Sequence, residues 1–137
     1  MWARQGRPPL VFDVGSNHGL YALYAATLGA SVVVLEPQEH LCRLINYAAQ
    51  RNGPAVARRI RLFNNAALDA HETISLAQAD IAEGAIATVV RGGAGDVEAL
   101  PIADFLPVGA GRICFLKIDV EARCVGRCLV SDRAALG

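Results

Sequence analysis

Four acidic residues stand at the ends of apolar runs: Asp13 in LVFDVG, Glu36 in SVVVLEP, and Asp119 with Glu121 in ICFLKIDVE. A carboxylate fixed at a strand end is suited to accept the hydrogen bonds of a ribose diol, to balance a cationic ligand, or to take a proton from an attacking hydroxyl. The first run continues through Gly15-Ser16-Asn17-His18-Gly19 into a helical pattern. A strand that turns through glycines into a helix start gathers backbone N–H groups and the positive end of the helix dipole at one point. Gly15 is read as the turn residue and Gly19 as the residue that lets the first helical turn pack closely. Glu36 comes after Gly19 at close to the ~20-residue spacing of a nucleoside reader's acid.

Positioning these groups at one edge requires a sheet. Leu10 to Val14 reads as a strand, His18 to Leu28 as a helix, and Ser31 to Leu35 as a second strand. The second strand is nearly all apolar, as parallel strands covered on both faces are. The next helix runs from Gln38 to Arg51 with Leu41, Leu44, Ile45 and Ala48 on one face, and it stops at Asn52-Gly53-Pro54. Ile60 to Asn64 makes a third strand, and Ile113 to Val120 a buried fourth. Between them, Glu72 to Gln78 and Ala85 to Val90 read as a hairpin around Asp80 to Gly84, with a Gly92-Gly93-Ala94-Gly95 loop after it. Short alternating strands and helices give an α/β fold with a right-handed parallel sheet. Within the fourth strand, alternation places Lys117 on the face of Asp119, either as an internal ion pair or to orient an acceptor.

The turn also bears on the ligand. A dinucleotide site is marked by G-x-G-x-x-G, whose middle glycine lets the backbone approach a pyrophosphate, and Asn17 occupies that place here. S-adenosylmethionine has no pyrophosphate, and Asp13 and Asn17 are suited to hold its amino-acid end. FDVGSNHGLYALYAATLG, VVVLEPQEHLCRLINYAAQRNG, LFNNAALDA and FLKIDVE resemble, in order and spacing, the successive motifs of the FkbM-type methyltransferases. Ile102 to Leu106 is similar to that family's aspartate-bearing segment before the fourth strand. The resemblance spans roughly Val11 to Glu121. It implies a Rossmann-like class I methyltransferase fold and methyl transfer from S-adenosyl-L-methionine to a hydroxyl of a small molecule or sugar. It further implies that Asp13, Gly15, Asn17, Gly19 and Glu36 hold the donor, with Asn65 and Ala66 near its adenine. Asp119 and Glu121 then face the reacting methyl as candidate bases. His18, at the pocket mouth, is a third candidate base, and its place at a helix start equally suits a surface residue.

Composition narrows the remaining classes. The 137 residues carry 13 Lys and Arg against 13 Asp and Glu, with 53% hydrophobic residues, which argues against a general nucleic-acid surface or a disordered tail. Arg58, Arg59 and Arg61 are the main basic cluster and are read as a solvated helix end. Neither an export signal nor a membrane span is expected from the sequence pattern. Cys42, Cys114, Cys124 and Cys128 form no CxxC pair, and Cys124 with Cys128 has a helix-like spacing but no nearby histidine, so reduced thiols, no metal site and a cytoplasmic setting are expected.

Beyond Glu121 the sequence DVEARCVGRCLVSDRAALG leaves the family pattern, with Ala122 where a glycine is expected. The expectation is a partial donor-binding domain over residues 1–121, incomplete in its C-terminal half, and an atypical tail over 122–137. A fourth strand left at the sheet edge is expected to promote self-association. Two other readings are open: a truncated, non-catalytic nucleoside-binding remnant, and an NAD-dependent oxidoreductase fragment, which the same strand ends allow.

Overall fold

The computed structural model describes residues 6–78, 87–91, 95–108 and 112–120. In chain order the elements are β1 (Leu10–Val14), α1 (Leu20–Thr27), β2 (Ser31–Leu35), α2 (Glu39–Arg51), α3 (Pro54–Ala57) and β3 (Ile60–Phe63). They continue with β4 (Ala66–Ala67), β5 (Glu72–Gln78), β6 (Ala87–Arg91), β7 (Val97–Leu100), a 3-10 turn (Ile102–Phe105) and β8 (Ile113–Ile118). Among the described residues no helix is long and apolar enough to cross a membrane.

The first sheet has the order β3-β2-β1-β8 and every pairing in it is parallel. This is the α/β, Rossmann-like arrangement, in which the chain starts at the centre, winds outward through β2 and β3, and then crosses back to the other side of β1. Parallel pairing puts the C-terminal ends of all four strands on one edge. The reversal of strand order opens between β1 and β8, the place where such sheets bind ligands.

Alternation along the strands divides the core between the two faces. Val11, Val32 and Val34 pack with Ala22, Ala26 and Ile45 on the helical side, while Leu10, Phe12, Val14, Val33 and Leu35 pack with Ala67 and Phe105 on the other. Every residue of β1 is buried, which explains its nearly unbroken apolar reading. Helix α1 approaches the sheet closely because alanines, Ala22 and Ala26, form its inner face. The outer face leaves Leu20, Tyr24 and Leu28 exposed.

Several details differ from the sequence expectation. The buried stripe of α2 is Leu41, Cys42, Ile45 and Ala49, whereas Leu44 is exposed. Cys42 turns inward with this stripe, and its thiol donates to the Glu36 carbonyl at 3.1 Å. The chain after Gly53 makes the short helix α3, started by Pro54, before β3 begins. Arg59 bonds the Ala55 carbonyl at 2.9 Å, and Arg61 lies 5.5 Å from the centre of the Phe63 ring. The expected hairpin pairs β5 with β6 antiparallel, and it belongs to a second sheet of order β4-β7-β5-β6 that the sequence pattern does not suggest. The tip at 79–86, with Asp80 to Gly84, and the glycines at 92–93 lie outside the described residues. So do Glu121, Cys124, Cys128 and the tail. The fourth strand, β8, is not the buried strand expected: Phe115 is 52% and Leu116 37% exposed. Among the described residues it stands at the end of its sheet and pairs with β1 alone.

Gly15 shows how tightly the β1 and β8 ends are joined. It has φ of 69°, and a Cβ there would overlap the Asp119 carbonyl oxygen, which is backbone and cannot swing away. Gly29 also has positive φ, at 97°, but a Cβ there would meet nothing. Gly15→Ala is therefore expected to lower unfolding free energy by more than ~2 kcal/mol, the sum of left-handed strain and overpacking, and Gly29→Ala by about 1 kcal/mol from strain alone. Urea unfolding of the two variants checks this, and equal losses would show that the Asp119 contact gives way freely.

Candidate functional site

The turn after β1 is fixed on three sides. Toward β2, Gly15 and Ser16 donate their amides to the Leu35 carbonyl at 2.9 and 3.3 Å. Toward α1, the Asp13 carboxylate accepts from the Ser16 hydroxyl at 2.7 Å and from the Ala22 amide at 3.1 Å, both through Oδ2. Toward β8, the Asp119 amide donates to the Val14 carbonyl at 3.0 Å. Asp13 is wholly buried, so its charge needs a partner, and the Lys117 ammonium lies 3.3 Å from Oδ1. That pair has ion-pair distance without hydrogen-bond alignment at Oδ1. The aligned bond from Lys117 Nζ goes to the Gly15 carbonyl at 2.8 Å. Removing one member of so buried a pair costs on the order of 3–5 kcal/mol, because the remaining charge has nothing to replace it.

Glu36 closes the opposite side of the turn. It is 2% exposed, and its two carboxylate oxygens are shared between neighbouring loops: Oε2 accepts from the Asn17 amide at 2.7 Å, Oε1 from the Gln38 amide at 3.0 Å. Asn17 adopts φ of 52°, the left-handed conformation that asparagine tolerates best after glycine, and this aims its N–H at Glu36. Burial raises the Glu36 carboxyl above its ordinary value, and the hydrogen bonds from Gln38 and Asn17 oppose that rise. Oε1 also accepts from the Gln38 side-chain amide at 3.4 Å, so the acceptor capacity that remains on Glu36 is at Oε2.

Residues that the sequence pattern does not single out complete the site. Asn64, just after β3, donates through Nδ2 to the carbonyls of Glu36 and Pro37 at 3.0 and 2.8 Å. It thereby holds the loop that carries Glu36. Carbonyls around a proline need donors from elsewhere in the chain, and that demand is the only sequence signal for Asn64. Ser16 and Cys42 act in the same way on Asp13 and on the Glu36 carbonyl.

Of the residues expected at the site, Asp13, Gly15, Lys117 and Asp119 come together at the ends of β1 and β8, and Asn17 meets Glu36. Asp13 points into the fold, not toward open solvent. Gly19 is buried beneath Ile45, whose Cγ1 would lie 2.7 Å from an added Cβ, so its smallness serves the packing of α1 on α2. His18 is exposed on the turn. Asn65 donates to the Glu98 carbonyl at 3.1 Å and Ala66 is buried in β4, which places both at the start of the second sheet. The Asp119 side chain is 80% exposed with Oδ2 3.6 Å from Lys117.

No family model matches the chain, and no curated protein matches it significantly. Among solved structures, the 2.2 Å crystal structure of WbdD aligns over 44% of this chain and 13% of its own length, with 28% identity and a TM-score of 0.40. The chain thus spans a small part of that protein.

Cys42 reports on the integrity of the Glu36 loop. Its thiol is pushed up to about 11, first by burial and then by the Glu36 charge. A thiol raised in the folded state adds stability that is complete below the unfolded value of 9.0 and is lost as pH rises through about 11. At pH 8 the native protein is expected to alkylate at Cys42 at least ~100-fold more slowly than the unfolded chain, while the exposed Cys114 reacts readily. Peptide mass spectrometry after iodoacetamide pulses gives the rates. Equal labelling of the two cysteines would mean that the Glu36 loop opens freely.

Proposed function

We propose that the chain binds S-adenosylmethionine at the C-terminal edge of β1 and β2 and acts as an O-methyltransferase of FkbM type, on a hydroxyl of a small molecule or sugar. The observation that carries this reading is where the amides of the turn go. A dinucleotide pyrophosphate needs free N–H groups at the helix start. Here the Ala22 amide is taken by Asp13 and the Asn17 amide by Glu36. Among the described residues, Asp13, Glu36 and Asp119 set three carboxylates against the ammonium of Lys117 around this turn. Such a balance suits a sulfonium ligand better than a diphosphate. The order of the resembling motifs supports the same assignment.

On this reading residues 1–121 form the donor-binding unit. Glu36 accepts from the ribose hydroxyls, Gly15 and Asn17 line the amino-acid end, and Asn65 and Ala66 border the adenine. Asp13 and Gly19 act from beneath by shaping the turn and seating α1. S-adenosylmethionine supplies a methyl group already activated on sulfur. The protein's remaining task is to align the acceptor oxygen and receive its proton. Asp119, exposed beside the turn, is the first choice for that base, with Glu121 and His18 as the others.

Parent protein is expected to bind S-adenosylhomocysteine, the demethylated product, in calorimetry, and NAD not at all. Glu36→Ala is expected to weaken product binding by about 1–3 kcal/mol, the cost of leaving a ribose hydroxyl and the Asn17 amide unmatched. Glu36→Gln, which keeps the shape, separates loss of charge from loss of fold. Binding of NAD in preference, or unchanged product affinity in both variants, would overturn the assignment.

A further inference from the structure

Lys117 makes more contacts than charge neutralisation requires. It rises from an otherwise apolar strand, its side chain is 15% exposed, and its ammonium lies between Asp13 and Asp119 at 3.3 and 3.6 Å. The Tyr21 ring, on the first turn of α1, lies 5.5 Å away as a further neighbour of the cation. Yet neither carboxylate receives its best bond. Asp13 Oδ1 has no aligned donor, and the short contact, 2.8 Å, is to the Gly15 carbonyl. A lysine present only to balance Asp13 would aim its N–H at Oδ1. This one aims at the turn backbone.

That carbonyl matters because of the two residues after it. The Gly15 peptide joins a residue at φ of 69° to Ser16, and Asn17 beyond it sits at 52°. Left-handed backbone is costly for anything but glycine and persists only where surrounding bonds hold it. Fixing the Gly15 carbonyl fixes the plane of the next peptide, and with it the Ser16 hydroxyl on Asp13 and the Asn17 amide on Glu36. We propose that Lys117 is a positioning residue that locks the Gly15–Asn17 turn in its ligand-binding shape through the Gly15 carbonyl, and that its charge on Asp13 is the secondary part of its role. The proposal rests on the donor-binding reading only for its effect on affinity. The effect on the turn is independent of any ligand.

The test separates locking from charge balance. Lys117→Met alone leaves Asp13 buried without a counter-charge and is expected to lose both stability and product binding. The double variant Asp13→Asn with Lys117→Met removes both charges together, and a double-mutant cycle isolates what the lysine does beyond pairing. The double variant is expected to recover most of the melting temperature. It is also expected to keep a dissociation constant for S-adenosylhomocysteine at least ~10-fold weaker than that of Asp13→Asn alone, with faster hydrogen exchange at the Asn17 amide. Affinity and exchange equal to those of Asp13→Asn alone would overturn the proposal and leave Lys117 a charge partner only. Should the parent itself fail to bind the product, the donor-binding reading falls, and the Asn17 exchange still decides this one. If the double variant does not fold, the ammonium protons of Lys117 in the parent decide instead: slow exchange in their NMR signal is expected, and exchange at the rate of a solvated lysine would overturn the lock.

Discussion

The Asp13 carboxylate is the interaction on which the rest of the site depends. An ion wholly removed from water is unfavourable by several kcal/mol unless the fold surrounds it with donors. Here the donors come from three separate places: the Ser16 hydroxyl in the turn, the Ala22 amide in α1, and the Lys117 ammonium in β8. Satisfying one carboxylate therefore fixes the turn, seats the start of α1 and brings the edge strand into place. The acid also occupies the positive end of the α1 dipole, a position that other folds of this architecture leave open for phosphate.

Glu36 repeats the device one strand over, with a different outcome. It too is buried and takes backbone amides, from Asn17 and Gln38. Among the described residues no ammonium pairs with it in the way Lys117 pairs with Asp13, and desolvation raises its carboxyl. The difference lies in their partners: Asp13 is neutralised by an ammonium, while Glu36 is held by amide donors from the turn and from Gln38. Beneath them both, Ile45 fills the space above Gly19, so the helix that comes after Glu36 and the helix that comes after the turn are packed into one another. A shift of α2 would thus move both acids.

The first sheet is legible in the sequence because its cues are local and strong. Three valines in SVVVL cannot be half-buried by alternation, and VFDVG leading through small residues into a helix repeats the same signal. Of the second sheet only the β5–β6 hairpin is legible, since β4 is the dipeptide Ala66–Ala67 and β7 the short segment VEAL, whose pairing with β5 is set by tertiary contacts rather than periodicity. The stripe of α2 departs from its apolar pattern in a comparable way: Leu44 is the more apolar choice, yet Cys42 faces inward beside Leu41, Ile45 and Ala49, with its thiol on the Glu36 carbonyl. Within the site, the acids at strand ends can be read from their position. Their inward or outward aim cannot, because it depends on Ser16, Asn64 and Lys117, and the partners of the last two lie far along the chain.

The apposition of Gly15 and Asp119 links the two halves of the site. A side chain at Gly15 would overlap the Asp119 carbonyl, and the Asp119 amide is already bonded to Val14. The turn and the end of β8 therefore cannot be displaced independently. Asp119 presents its exposed carboxylate from the same short segment whose backbone presses on the turn, with Val120 packed inward behind it. The backbone of Asp119 is thus fixed against the turn, while its carboxylate, 80% exposed, extends on its own side chain. β8 itself is held by parallel pairing with β1 along its length, Phe115 and Leu116 included, so its backbone stays in place although the side chains of those two residues are exposed.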